Sequence, residues 1–393
     1  MSLLPKIEKV TRDATISHFL LMFGYKLFSL YFPLFLVARG MSLPEVGYTY
    51  LLIYLPIALS APFVGFLNHK INPAVLASVG ILGYAIYALG MILIQNPVLF
   101  YFWQVLLGIS AALFFVSLRV ILMNSSLESY DRAFGWFYTA PFYADAFAPA
   151  LGALFIWKFN FLGVFVFSLI LQSLTAIFCF TQLKRQTVDL VDKSFKFKTL
   201  AENYQKVFRK IKEKSTLPFL SISLSVLLLA GFYHAFFILF LKDFGWSQNL
   251  ILLFGSLLSF LFLPFSLLII KEVGKQKSEK NIFRGSLLAG IFSILLGSLT
   301  AILNFPLVLL LMLGKSTGGL MTGSGRSGLI SQKLKEYSEE AGALDTIFYP
   351  LGTALGALIS GLIIGFLGYQ LLFIFGGAFV ILVGLLSKKL AKF

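Results

Sequence analysis

The sequence predicts an all-α membrane protein with 12 transmembrane helices, arranged as two six-helix bundles related by a pseudo-twofold axis. Three observations carry this expectation. First, 58% of the 393 residues are hydrophobic and 12% charged, with a mean hydropathy of +0.88. A soluble domain carries roughly a quarter charged residues, and a disordered chain would not hold this much apolar surface. Second, the apolar residues fall into runs of about 20, the length of helix that crosses a ~30 Å hydrocarbon core. Third, short motifs recur 204–206 residues apart.

Cutting at polar residues, Gly and Pro gives twelve runs, near 14–38, 45–67, 74–95, 98–119, 133–157, 160–182, 217–241, 249–271, 282–303, 306–327, 342–366 and 368–387. They are apolar on all sides, whereas barrel strands would be alternating segments of about 10 residues. The first run is too long for a signal-peptide core and lacks a small-residue cleavage site, so it is expected to remain as a helix. Numbering the gaps alternately puts 27 of the 32 Lys and Arg on one side and three (Arg39, Lys158 and Lys242) on the other. Lys26 and Lys315 fall inside runs. That bias places both termini in the cytoplasm of a multi-pass protein of the plasma or inner membrane. The basic excess is spread through short gaps, which argues for lipid headgroups and against nucleic acid.

The widest gap divides the chain into an N-terminal bundle (1–182), a basic linker (183–216) and a C-terminal bundle (217–393). The linker carries Lys193, Lys196, Lys198, Lys206, Arg209 and Lys210, and Phe197, Leu200, Tyr204, Val207 and Ile211 recur at helical spacing. An amphipathic helix on the anionic inner leaflet is expected there, with docking of a soluble partner as the alternative.

Ala150-Leu151-Gly152-Ala153-Leu154 in the fifth run recurs as Ala354-Leu355-Gly356-Ala357-Leu358 in the eleventh. Phe142-Tyr143 recurs as Phe348-Tyr349, Leu106-Leu107-Gly108 echoes Met312-Leu313-Gly314, and Phe35-Leu36 with Gly40 echoes Phe240-Leu241 with Gly245. Each match joins corresponding runs, as a parallel repeat requires. Gly65-Phe66-Leu67-Asn68-His69-Lys70 follows the second run, Trp103-Gln104 and Gly108 lie in the fourth, and Ala148-Pro149-Ala150-Leu151-Gly152 in the fifth. Together with the six-plus-six layout, these segments resemble the major facilitator superfamily across nearly the whole chain. Asn68 stands at the Asp of that family's loop motif, Gln104 at the Arg of its fourth helix, and Pro149 with Gly152 at part of its antiporter motif.

No catalytic constellation appears. Gly314-Lys315-Ser316-Thr317-Gly318 lies inside an apolar run with no strand before it, so it makes neither a nucleophile elbow nor a phosphate-binding loop; His18, His69 and His234 are scattered, and Cys179 is the only cysteine. The chain is expected to be neither an enzyme nor a holder of a cofactor or metal. Gly323-Ser324-Gly325 and Gly328 lack a preceding strand and are expected to allow close helix packing.

Charges inside apolar runs cost at least ~2.5–3.5 kcal/mol each at mid-bilayer, so they are expected to pair or to face a cavity. Lys26 follows Asp13 by thirteen residues and Asp145 follows Arg132 by thirteen. At 1.5 Å per residue both sit ~20 Å up their helices, on helices that the resemblance places side by side. Their pairing has two readings, a structural lock or a substrate- or proton-responsive couple. Lys315 is the leading candidate for an anionic group, because the resemblance places the tenth helix on the cavity; snorkelling, or a pair with Asp145, is the other reading. His234, Tyr233, Tyr138 and Gln104 complete the expected binding or coupling residues, with Tyr25, Tyr143 and Tyr349 on the same lining helices. Arg119, Asn68, Asp345 and Arg326 are the expected gating residues, Arg119 pairing with Asp131 or Glu128 and Asp345 with Arg326. Pro33, Pro56, Pro141, Pro149, Pro264 and Pro350 are expected to bend their helices.

The resemblance implies a secondary transporter that moves a small organic solute (anionic, zwitterionic or amphipathic) by alternating access. Protons are the expected coupling ion, lipids the expected surroundings, the motifs lean towards export, and the protein is expected to act as a monomer. A lipid or lysolipid flippase and a non-transporting sensor or assembly partner are the other two readings.

Overall fold

The computed structural model describes residues 5–29, 32, 35, 36, 39–41, 43–94, 97–187 and 197–391. Pro33, Lys193, Lys196 and Lys392 lie outside the described residues. Those described form eleven α-helices and no strand. They are α1 (Lys9–Ser29), α2 (Leu43–Lys70), α3 (Pro73–Leu93), α4 (Pro97–Asn124), α5 (Tyr130–Leu183), α6 (Phe197–Ile211), α7 (Leu217–Asp243), α8 (Gln248–Val273), α9 (Ser278–Ser298), α10 (Phe305–Lys333) and α11 (Ser338–Ala391).

Two of these helices are 54 residues long. Straight, each would run about 80 Å, well over twice a hydrocarbon core. Each is interrupted once, α5 at Asn160 (φ 53°) and α11 at Gly368 (φ 67°), where the chain turns back. The breaks fall where the sequence separates the fifth run from the sixth and the eleventh from the twelfth. Among the described residues nine helical segments are long and apolar enough to cross a membrane. The two broken ones serve as two runs each, and α1, which carries Arg12, Asp13 and Lys26, supplies the first run.

Local signals set the helix starts. Ser129, Ser247 and Asn304 accept from the backbone N–H groups of Arg132, Leu250 and Leu307, and Asn72 accepts from Ala74 N ahead of Pro73. Such side chains satisfy amide groups that have no partner within the helix. Pro56, Pro141, Pro149, Pro264 and Pro350 lie inside helices as expected.

The repeat is visible in the backbone. Gly40 (φ 85°) and Gly245 (φ 84°) end corresponding segments. Met41 N donates to Leu36 O and Trp246 N to Leu241 O, both at 3.1 Å, the same helix-ending loop in each half. A Cβ on Gly152 would lie 1.8 Å from Leu27 O, and one on Gly356 2.1 Å from Leu228 O. Thus α1 crosses α5 and α7 crosses α11 at backbone contact, the small-residue packing that replaces hydrophobic drive inside lipid. The glycines around Gly325 act similarly, since a Cβ there would lie 2.9 Å from Ser278 O.

Within the first bundle α1 and α3 pack on α5, and α2 and α3 on α4; in the second α7 and α9 pack on α11, and α9 on α10. Across the seam α5 meets α8 and α10, while α11 meets α2 and α4. Lys6 pairs with Glu128, and Lys388 stands 5.1 Å over the Phe283 ring, so both termini lie at one end, called here the basic end. The Glu128 carboxyl is held below the usual carboxylate range, first by its bond from Lys6 and then by Arg132. Leu59, Leu93, Leu362 and Leu390 stay about two-thirds exposed on the outer surface, as lipid-facing residues do (71%, 68%, 68% and 69%).

The linker helix α6 departs from expectation. Leu200 and Val207 are buried and Ile211 packs on the core, so its apolar face covers protein rather than a leaflet. The face of α6 left to solvent carries Lys198, Lys206 and Arg209 together with Glu202 and Phe208.

The close crossings give a stability prediction. Gly152→Val and Gly356→Val should each destabilise the protein by roughly 1–3 kcal/mol through overpacking, read as a lower melting temperature in detergent. Gly319→Ala, at a position with nothing within 4 Å, is the control. Equal melting of all three variants would contradict backbone-contact packing.

Candidate functional site

Polar side chains gather on the seam at two levels. Midway along the helices, Lys26 on α1 and Asp145 on α5 form the expected pair, Nζ to Oδ1 at 3.0 Å. Neither is sealed off, their side chains being 27% and 30% exposed. Across from them His234 on α7 bonds Tyr349 Oη on α11 at 3.0 Å, and both are solvent-reached. Lys315 on α10 places Nζ 4.3 Å from the centre of the Tyr233 ring, a cation–π contact. Among the described residues no carboxylate lies within ion-pair distance of Lys315. The charges of Lys315 and Lys26 both reach His234, and that of Asp145 reaches Tyr349, so five helices contribute to one cluster.

At the level of this cluster α5 and α8 stay in contact, Phe142 with Phe262 and Phe147 with Phe260, and the cluster's exposure lies elsewhere around the seam. At the basic end the core is continuous, joining Phe137 and Val120 of the first bundle to Ile330, Leu334, Ala341 and Ala343 of the second. Towards the far end the second bundle has its own core around Phe237, Phe240 and Phe373. These exposures mark a cleft between the bundles, closed at the basic end and bridged along α5–α8, with the charged side chains on its walls.

Below the cluster lies a dry network centred on Asp345 (0% exposed). Its Oδ2 accepts from Arg119 Nε at 2.9 Å, Ser327 Oγ at 2.6 Å and Tyr138 Oη at 3.1 Å. Its Oδ1 accepts from Arg326 Nε at 2.7 Å. Tyr138 Oη also accepts from both guanidinium groups, at 3.3 and 3.0 Å. A buried carboxylate is tolerated only when fully paired, and here two arginines and two hydroxyls do so. The seam runs through this group, with Arg119 and Tyr138 on one side and Asp345, Arg326 and Ser327 on the other.

Two expectations need correcting here. Arg119 pairs with Asp345 and with neither Asp131 nor Glu128, because its side chain points into the seam. Asp131 instead accepts from Ser278 Oγ and Asn281 Nδ2 at the start of α9, both at 2.6 Å, while Glu128 pairs with Lys6 and Arg132. Tyr138, expected on the cleft wall, sits in the network beneath it.

Gln104 and Asn68 are fully buried and bond locally, Gln104 with Tyr87 Oη (3.3 Å) and Phe100 O, Asn68 with Val64 O (2.8 Å). Gln104 therefore packs within the first bundle, while Asn68 bonds within its own helix one residue before His69, which reaches Glu340 across the seam. Tyr143 bonds Ser266 Oγ across the α5–α8 contact, and Tyr25 packs on Phe28 and Tyr84. Sequence reasoning missed the bonds of Asp131 to Ser278 and Asn281, the part of Ser327, and the ties of Glu339 to Asn124 and Glu340 to His69, which also close the basic end.

The sequence matches the Major Facilitator Superfamily model over residues 14–341. Among solved structures it is similar to the human organic anion transporter MFSD10 (TETRAN), with a TM-score of 0.77 at 14% identity, covering 96% of this chain and 99% of that one. The proton:xylose symporter XylE gives a TM-score of 0.73 at 14% identity, covering 97% and 95%. A bacterial homologue of the iron transporter ferroportin, in an outward-facing state, gives 0.72 at 14% identity, covering 98% and 100%. No match was found among curated protein sequences.

Asp345→Asn should cost roughly 3–5 kcal/mol, since it leaves two buried arginines facing one another. Tyr138→Phe should cost roughly 1–3 kcal/mol, for it removes one hydroxyl and leaves its partners bonded to Asp345. Melting temperatures in detergent check the order. Asp345→Asn melting no lower than Tyr138→Phe would contradict the central place given to the carboxylate.

Proposed function

The chain belongs to the Major Facilitator Superfamily, and from that premise we propose that it is a proton-coupled secondary transporter of small organic anions. The observation that carries this reading is the partly exposed cluster at half height, where, among the described residues, one cation has no acid within ion-pair distance. Lys26 is neutralised by Asp145, whereas Lys315 has only the Tyr233 ring beneath it. An ammonium group held in a cleft between low-dielectric walls attracts anions strongly. The Tyr233 and Tyr349 rings beside it suit the organic body of such a solute. Zwitterionic and amphipathic solutes fit less directly, since the one acid in the cluster already has a partner.

Proton coupling in this reading rests on Asp145 and His234, both partly exposed in the cluster. A proton on Asp145 releases Lys26, which then offers a second positive charge to the solute. Loss of that proton restores the pair and removes this second charge, leaving the weaker attraction of Lys315 alone. Such a cycle links one proton to one anion without any further group.

Alternating access follows from where the seam cuts the lower network. Arg326, Ser327 and Asp345 belong to the second bundle and travel together. Opening the basic end therefore breaks the bonds of Arg119 and Tyr138 to that trio and leaves Arg326–Asp345 intact. The bundles 1–182 and 217–393 are the moving parts in this reading, and 183–216 is their tether. With the Lys and Arg bias setting the termini in the cytoplasm of a cell membrane, the state described is open outward. Because proton and anion travel together, an inward proton gradient drives uptake in this reading; the partial antiporter motif at Pro149 and Gly152 is the one feature that points to export.

Reconstitution into liposomes tests the assignment. A panel of labelled organic anions is assayed with an inward or outward proton gradient. Asp145→Asn and Lys315→Ala should each reduce flux of the transported anion tenfold or more while the melting temperature stays near that of the unmodified protein. Collapse of the proton gradient should abolish accumulation. Wild-type flux in both variants would remove the cluster from the transport path.

A further inference from the structure

At the base of the seam, beside α6, lies a group of side chains that the transport reading does not use. His69 closes α2, and Glu339 and Glu340 occupy the first turn of α11. One ligand atom from each lies within 4.8 Å of the other two. Glu340 is 0% exposed, Glu339 8%, and the His69 side chain 12%. The three therefore sit out of bulk water at the contact between the two bundles. A Cβ on Gly65 would touch Glu339 O, Ala343 Cβ and Tyr204 Oη, so α2, α6 and α11 converge on this point.

The charge here is unbalanced. Among the described residues no lysine or arginine comes within 4.0 Å of either carboxylate, and the single basic neighbour is the His69 ring, with Nε2 at 3.2 Å from Glu340 Oε1. Two buried carboxylates against one imidazole leave negative charge uncompensated, which costs several kcal/mol per ion. The bonding is incomplete as well. Glu340 Oε2 is buried without a hydrogen-bond partner, and so is Tyr204 Oη, which lies close enough to feel the Glu340 charge. The other carboxylate oxygens are held in place. Asn124 and Ser338 donate to Glu339, and Asn203 Nδ2 donates to Glu340 Oε1 at 2.9 Å. Outer contacts of this kind are what orient metal ligands.

We propose that His69, Glu339 and Glu340 bind one divalent first-row transition cation that ties α2 to α11 across the closed end. One imidazole nitrogen and two carboxylates form a donor set suited to zinc, manganese or iron(II). The cation supplies the missing positive charge and a partner for Glu340 Oε2. The amide groups at the start of α11 favour the ionised carboxylates that coordination needs. Because the ligands come from both bundles, an occupied site holds the basic end shut. The site is independent of the cleft, and neither Asp145 nor Lys315 contributes to it.

Tag-free protein is stripped with a chelator, passed over a sizing column and titrated at fixed pH with zinc chloride. One zinc per chain should be retained, and the melting temperature should rise. His69→Ala and Glu340→Gln should each weaken zinc binding tenfold or more. Zinc-edge X-ray absorption on the unmodified protein should show one nitrogen and at least two oxygens at ~2.0–2.2 Å. That measurement decides the matter even where a variant does not fold. Failure to retain zinc, equal zinc affinity in both folded variants, or a shell with two or more imidazoles overturns the proposal.

Discussion

Ionised groups inside an apolar slab must be matched by opposite charge or reached by water, and this single requirement organises the molecule. Asp345 meets it by bonding to two arginines and two hydroxyls from both bundles. Lys26 and Asp145 meet it by pairing at the wall of a wet cleft. The first arrangement is dry and holds the halves together; the second is wet and leaves room for a guest. The difference in hydration separates a lock from a binding surface, although both are built from the same residue types.

The half-chain repeat explains why the two levels exist. Arg119 and Tyr138 of the first half meet Arg326 and Asp345 of the second at the seam, each pair falling one residue outside the register of the repeat. Higher up, Lys26–Asp145 joins α1 to α5, and His234–Tyr349 joins the corresponding helices α7 and α11. One half carries an ion pair and the other a neutral hydrogen bond. Duplication accounts for the paired geometry, and later divergence for the charge asymmetry that gives the cleft a preference. The fold alone is common to carriers of organic anions, sugars and iron, so any selectivity must come from such side chains.

Much of this architecture was legible in the residues because the bilayer imposes a length. The runs, the break near Asn160 and that at Gly368 follow from that length and from local polar punctuation. Lys26 and Asp145 were legible as neighbours because each could be counted up a helix from the same polar boundary. Arg119 was not, since its partner Asp345 lies 226 residues away and two acids stand much closer in sequence. Spacing within a helix reports depth, whereas the direction a side chain takes around the axis depends on what packs against it. The apolar stripe of α6 was likewise legible as a stripe, yet only tertiary contact shows that protein and not lipid covers it. The His69 cluster was hidden for the same reason, a histidine with acids 270 and 271 positions further on.

The central claim is that a water-filled crevice, shut at the basic end, reaches the middle of the molecule. It is tested most directly by labelling His234→Cys, in a Cys179→Ser background, with a membrane-impermeant thiol reagent applied to one face of oriented vesicles at a time. Cys179 is itself buried. The account predicts rapid reaction from the face opposite the termini and protection from the face that holds them. Reaction from the terminal face, or protection from both, would contradict it.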